Sequence, residues 1–215
     1  MRYILFDLDG TLTDPAEGIT NSVAYALRRY GIEVEDRSEL NCFIGPPLTD
    51  SFEKFYGFSH EKAVEAVEVY REYFRPTGIF ENKVYDGIVD VLARLKAEGK
   101  KVIMATSKPE VFARRIAEHF SFDGYFDLIA GSTLDGSRVK KHDVIENAIE
   151  RFEITDRSQC VMIGDRLHDI EGAKASAIKS IGVLWGYGSR EELEGCGADY
   201  ICESVDALFD LICSL

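Results

Sequence analysis

The sequence predicts an α/β protein, a parallel sheet flanked by helices with an all-helical segment inserted after its first strand. Three observations carry that expectation. From Gly99 onward, short apolar runs alternate with amphipathic stretches, the order that crossover helices between parallel strands impose. A further apolar run, Tyr3 to Phe6, opens the chain and belongs with those strands. Between them, residues 15–82 carry helical patterns and no convincing strand. A length of 215 residues with 46% hydrophobic content supplies enough apolar surface to bury a substantial core.

The elements follow in order. Arg2 to Phe6 reads as the first strand. Pro15 suits a first helical turn, and helix-like runs follow at Ala16 to Tyr30, Leu48 to Tyr56 and His60 to Phe74. In the last of these Val64, Val67, Tyr70 and Phe74 share one face, a packing stripe. Gly31, Gly57 and Gly78 suit helix ends. A helix from Gly87 to Ala97 precedes strand-like runs at 101–106, 125–131, 159–165, 179–185 and 198–202. Lys140 and Lys141 open a helix to Phe152, with Ile145, Ala148, Ile149 and Phe152 on one face. The expected domains are therefore a core of residues 1–14 and 83–215 and a helical insert of residues 15–82.

Composition narrows the function. A formal charge of −13 opposes binding to a nucleic acid polymer, and the basic pairs Arg28/Arg29, Arg114/Arg115 and Lys140/Lys141 are too short to form a patch. Five cysteines, Cys42, Cys160, Cys196, Cys202 and Cys213, lack CxxC spacing and read as reduced core thiols. No signal-peptide pattern and no apolar run of about 18 residues is present, so the expectation is a soluble cytoplasmic protein without a membrane partner. A monomer is the simplest expectation.

Chemistry is expected where the strands end, because ligands of open parallel sheets bind beyond the carboxyl ends. Asp7, Asp9 and Asp14 crowd the end of the first run, where like charges repel unless a cation or a reaction justifies them. Thr106 and Ser107 end the run at 101–106; Gly164 and Asp165 end the run at 159–165, with Asp169 four residues on. His142 and His168 lack a second histidine at ligand spacing and read as solvated or locally hydrogen-bonded. Phe43, Phe52, Phe55 and Tyr56 are either packing residues or the lining of a site for a base.

"DLDGTLTD" at Asp7 to Asp14, Thr106, a lysine near position 141 and "GDRLHD" at Gly164 to Asp169 resemble, in order and separation, the haloacid dehalogenase-like phosphohydrolase superfamily. The resemblance covers nearly the whole chain and implies a Rossmann-like core with an inserted helical cap. The position of the insert resembles the subgroup of phosphoglycolate phosphatases, bacterial 5′-nucleotidases and β-phosphoglucomutase, with "FIGPPL" at Phe43 to Leu48 as its cap loop. It implies a Mg²⁺-dependent phosphatase acting on a small phosphorylated metabolite of phosphoglycolate type, with a 5′-nucleotidase as rival and a mutase or a non-catalytic regulatory module further off. By resemblance Asp7 is the nucleophile that becomes an aspartyl-phosphate and Asp9 the acid and base. Thr106, the Ser107 amide and the lysine hold the phosphate. Asp7, the Asp9 carbonyl, Asp165 and, through a water, Asp169 hold the metal. Lys141 is preferred to Lys140 because "KHDVI" has the family's spacing to an acid and two aliphatics.

Overall fold

The computed structural model describes Met1–Leu215. In chain order, β1 (Tyr3–Phe6) and β2 (Thr13–Asp14) lead into α1 (Ala16–Arg29), α2 (Leu48–Tyr56) and α3 (His60–Tyr73). Next come β3 (Lys83–Val84), α4 (Ile88–Ala97), β4 (Lys101–Pro109), α5 (Glu110–His119), β5 (Leu128–Ser132) and α6 (Lys141–Arg151). The chain closes with β6 (Cys160–Gly164), α7 (Leu167–Ala175), β7 (Lys179–Val183), α8 (Arg190–Gly195), β8 (Tyr200–Cys202) and α9 (Val205–Ser214). Two units result, Met1–Asp14 with Val84–Leu215, and Pro15–Lys83.

In the first unit six parallel strands lie in the order β5-β4-β1-β6-β7-β8. β1 is central, with Phe6 opposite Met104 on one side and Ile163 on the other. Its residues Ile4, Leu5 and Phe6 are fully buried, as a strand covered on both faces must be. Leu5, Ile103 and Met162 pack under α6 and α7 through Val144, Ile145, Ala148 and Ala173. The alternate residues Ile4, Val102 and Val161 are equally buried on the opposite face. The chain adds strands on one side of β1 as far as β5 and then crosses to β6 on the other. That reversal beside β1 is where an open α/β sheet forms a ligand crevice.

The run expected as a strand over 125–131 begins late, at Leu128, because Asp123–Tyr125 forms a 3-10 turn. Asp127 anchors the start of β5 by accepting the Val102 N–H and pairing with Lys96 and Lys101. Several other elements run to within a residue or two of their expected ends, but β4 extends three residues past Thr106.

The helical unit is held by an apolar interior of α1, α2 and α3 with a 3-10 segment, Arg37–Phe43. Phe43 and Phe52 are fully buried and meet edge to face with ring centroids 5.0 Å apart. They are packing residues, which removes them as lining for a base. Along α3 and at the residue after it, Val67, Tyr70 and Phe74 are buried, but Val64 is 47% exposed. The stripe runs instead through Ala63, Ala66 and Val67, one helical step away. A π-helical turn, Phe74–Gly78, follows α3. Pro15 precedes α1 as its cap rather than filling its first turn. All five cysteines are free, but only Cys160 and Cys202 are buried, and Cys213 is exposed, so the reading of all five as core thiols does not hold. No helix is long and apolar enough to cross a membrane.

Candidate active site

The ends of β1, β4 and β6 lie side by side, and their register sets the site. Asp7 follows Phe6 directly and donates its N–H to Ile163 O at 2.9 Å, so its side chain emerges level with the last residues of both neighbours. Asp165 emerges one residue after β6. Asp169 stands at the third residue of α7 and accepts the Arg166 N–H through Oδ2 at 3.1 Å, capping that helix. Carboxylate oxygens of Asp7, Asp165 and Asp169 lie within 4.8 Å of one another, and all three residues are buried.

Lys141 enters this cluster as the first residue of α6. Its Nζ lies 2.6 Å from Asp7 Oδ1 and 2.8 Å from Asp169 Oδ1, and it donates to Ala105 O at 3.0 Å. Lys140 is the residue before the helix and is exposed, so helix phase sends only Lys141 inward. Burial alone would lower the Lys141 pKa, but Asp169 and Asp7 outweigh it and hold the ammonium above its usual range. Asp165 is fully buried; desolvation, then the charges of Asp169 and Asp7, push its carboxyl well above the usual range. Burial also raises the Asp169 carboxyl, to about 6, against the pull of Lys141.

Three carboxylates with one ammonium leave excess negative charge in a buried space. The donor set is all oxygen, which fits a hard divalent cation such as Mg²⁺ and not a thiolate or imidazole metal site. Asp165 is fixed for such a role: Oδ2 accepts the Tyr187 N–H at 2.8 Å and Oδ1 the Thr11 hydroxyl at 3.3 Å. Gly10 is required beside it, since its φ of +82° is left-handed and an added Cβ would sit 2.2 Å from Asp165 Oδ2. Gly164 is required for the same reason of space, because a Cβ there would lie 2.1 Å from Asp169 Cγ.

Asp9 stands apart from the three. Its Oδ2 lies 2.7 Å from Lys108 Nζ, while its Oδ1 is buried with no hydrogen-bond partner. Desolvation raises its carboxyl above the usual range, with Lys108 opposing. Thr106 is buried, and its Oγ1 accepts the Lys108 N–H at 3.2 Å; Ser107 is half-buried beside it. Asp14, the third acid of the opening crowd, is not in the cluster: the Tyr187 hydroxyl donates to it. His142 bonds locally to Ser176 Oγ at 2.9 Å. His168 is half-buried, which lowers its pKa.

Sequence reasoning brought Asp7, Lys141, Asp165 and Asp169 to one place and missed two participants. Lys108 was legible only as one more polar residue after a strand. The loop after β7 carries no motif that announces a role, yet its "WGYG" contributes the Tyr187 N–H to Asp165 and the Trp185 indole N–H to Thr11 O at 3.0 Å.

Residues 4–183 match the family described as haloacid dehalogenase-like hydrolase. A protein of Pseudomonas aeruginosa named 5′-nucleotidase is 50% identical over 210 residues, 97% of this chain and 95% of that one. A Mycobacterium tuberculosis protein named tyrosine-protein kinase PtkA is 39% identical across 90% of this chain and 65% of its own. A phosphoglycolate phosphatase of Aquifex aeolicus is 30% identical across 87% and 86%. The crystal structure of a predicted phosphatase from Clostridium acetobutylicum superimposes with a TM-score of 0.96 at 52% identity, covering 99% of this chain and 98% of the other. With its six-stranded parallel sheet, its acids at the strand ends and a family match over most of its length, the chain belongs to the haloacid dehalogenase-like hydrolases.

Proposed function

We propose that the chain hydrolyses small phosphate monoesters in two displacements at Asp7. One observation carries this reading. A strand-end carboxylate, Asp7, is held at 2.6 Å by a buried lysine among two further acids, while two residues later Asp9 keeps one buried oxygen unpartnered. In the first displacement an Asp7 oxygen attacks phosphorus, the bond to the alcohol oxygen breaks, and Asp9 protonates that oxygen. In the second, Asp9 takes a proton from water as the water oxygen attacks phosphorus and Asp7 is released. Lys141 balances charge on Asp7 and on the transferring group; Thr106 and the Ser107 amide orient phosphate oxygens. Asp7, Asp165 and the Asp9 carbonyl, with Asp169 beside them, would hold a Mg²⁺ ion, which would supply the positive charge that lets an anionic nucleophile meet an anionic substrate.

The resemblance of the sequence alone puts phosphoglycolate first. The relative named 5′-nucleotidase, at 50% identity against 30% for the phosphoglycolate phosphatase, supports nucleoside 5′-monophosphates ahead of it. Asp7, Asp9, Lys141 and Asp165 are all present, which supports a catalytic reading over a regulatory module. Five free cysteines fit a reducing, cytoplasmic compartment. The test is kcat/KM for nucleoside 5′-monophosphates, 2-phosphoglycolate and sugar phosphates, with Mg²⁺ and with excess chelator, alongside ATP and a tyrosine peptide as a kinase control. Hydrolysis should need Mg²⁺, and Asp7→Asn should remove about 10⁴-fold or more of it while leaving the fold intact. Near-wild-type turnover by folded Asp7→Asn refutes the mechanism; phosphotyrosine formation without monoester hydrolysis refutes the reaction class.

A further inference from the structure

β4 does not end as a regular strand. Thr106 stands opposite Gly131, and the next register pair is Pro109 with Ser132, so three steps on β4 match one on β5. Ser107 and Lys108 form the bulge between them. Bulges beside active sites re-aim side chains, and this one sends Lys108 into the site. Its side chain is 6% exposed, and its Nζ lies 2.7 Å from Asp9 Oδ2. The Lys108 N–H donates to Thr106 Oγ1 at 3.2 Å, which ties the bulge to the strand end.

The other oxygen of Asp9 completes the pattern. Asp9 Oδ1 is buried and has no hydrogen-bond partner, although a carboxylate oxygen out of water normally has one. An ammonium fixed at Oδ2 makes that oxygen unfit to carry a proton and leaves Oδ1 as the protonation site. From the bulge, the 2.7 Å contact and the unpartnered Oδ1 together, we infer that Lys108 is a positioning residue that aims Asp9 Oδ1 at the leaving oxygen of the substrate. This rests on the phosphatase reading above. The step balances without Lys108 changing state: an Asp7 oxygen–phosphorus bond forms, the phosphorus–alkoxide bond breaks, and the proton on Asp9 Oδ1 passes to the alkoxide oxygen. Lys108 keeps its proton throughout.

Leaving-group dependence separates this role from general support of the fold. An alkoxide requires the proton as the bond breaks, and a 4-nitrophenoxide does not. kcat/KM covers only the steps through alcohol release, so the later attack of water does not enter. The probes are 4-nitrobenzyl phosphate and 4-nitrophenyl phosphate, similar in size and different in leaving group. Lys108→Met should lower kcat/KM for the benzyl ester by about 10²-fold and for the aryl ester by less than about tenfold, the scale of one acid catalyst misaimed. Thermal unfolding reports whether the variant is folded; if it is not, Lys108→Gln is read in the same way. Equal losses on both esters, or no loss on either, overturn the inference and leave the phosphatase reading standing. Absence of monoester hydrolysis in the wild type, or full activity in Asp7→Asn, overturns the phosphatase reading and this inference with it.

Discussion

Lys141→Met tests the electrostatics of the site without reference to any substrate. Methionine keeps most of the apolar stem but removes the charge that lies 2.6 Å from Asp7 and 2.8 Å from Asp169. Asp7, Asp165 and Asp169 would then be buried within 4.8 Å of one another with no cation among them. Removing one partner of a buried pair typically costs about 3–5 kcal/mol because the other charge stays buried and uncompensated. For a chain of this size that corresponds to a fall in Tm of about 6–20 °C in metal-free protein at pH 7.5. Two controls tie the loss to charge. Asp169→Asn added to Lys141→Met should recover part of the Tm, since it removes one unpaired carboxylate, and millimolar Mg²⁺ should raise the Tm of both proteins. The assay is thermal unfolding by circular dichroism in excess chelator, then with metal added. A Tm within about 2 °C of wild type, or a double variant less stable than Lys141→Met, would refute the claim that Lys141 neutralises this cluster.

Three further expectations follow from the same geometry. Asp165→Ala should weaken Mg²⁺ binding in calorimetric titration more than Asp169→Ala, because Asp165 is assigned to the metal directly and Asp169 to a bound water; the opposite order reverses the assignment. Gly10→Ala should cost about 1–3 kcal/mol of stability and displace Asp165, since it combines a φ of +82° with a Cβ 2.2 Å from the carboxylate, and unchanged stability and Mg²⁺ affinity would contradict it. In metal-free protein the Asp169 carboxyl titrates at about 6 when folded and near 3.8 when unfolded, so the native state holds the proton more tightly. Stability from this group is therefore full below pH 4 and lost as pH rises through 6. His168, whose folded pKa is lowered, acts in the other direction and loses stability as pH falls below 6.5. Asp169→Asn isolates the first effect: a wild-type pH profile that it leaves unchanged would refute the assignment.

The acids at the strand ends were legible because they break the burial rule at a place the fold explains. A single aspartate at a strand end can be a cap, but Asp7 and Asp165 both end apolar runs at the strands flanking the switch in strand order, where a ligand crevice forms. Lys141 was legible from its spacing, and helix phase agrees by burying it and exposing Lys140. Lys108 was not, because nothing in "TSKP" announces a bulge; in an unbroken strand those residues would simply continue the ladder. The clamp on Asp165 was hidden for a different reason: it acts through the Tyr187 backbone N–H, a group that every residue but proline carries. Val64 was misread because an apolar residue of α3 one step off the buried stripe looks the same in sequence as one on it. Phe43 and Phe52 could be sorted from pocket lining only by their mutual contact inside the helical unit.

The two lysines divide the work of the site between them. Lys141 serves Asp7 and Asp169, and Lys108 serves Asp9. Against the four carboxylates of Asp7, Asp9, Asp165 and Asp169, two ammonium groups leave a formal charge of −2, the charge one divalent cation cancels. Neither lysine reaches Asp165 in any ion pair of the structure; its oxygens are held only by the neutral donors of Thr11 and Tyr187. Neutral donors orient a carboxylate without competing for its charge. Asp165, whose carboxyl burial and its neighbours push well above the usual range, is thus the acid with no lysine beside it, and neutral donors fix its orientation. On the proposed reading, an Mg²⁺ ion at Asp165 would leave each lysine free to act on the nucleophile or on the acid and base, so that metal binding and proton transfer occupy separate carboxylates although Asp7 and Asp9 are two residues apart.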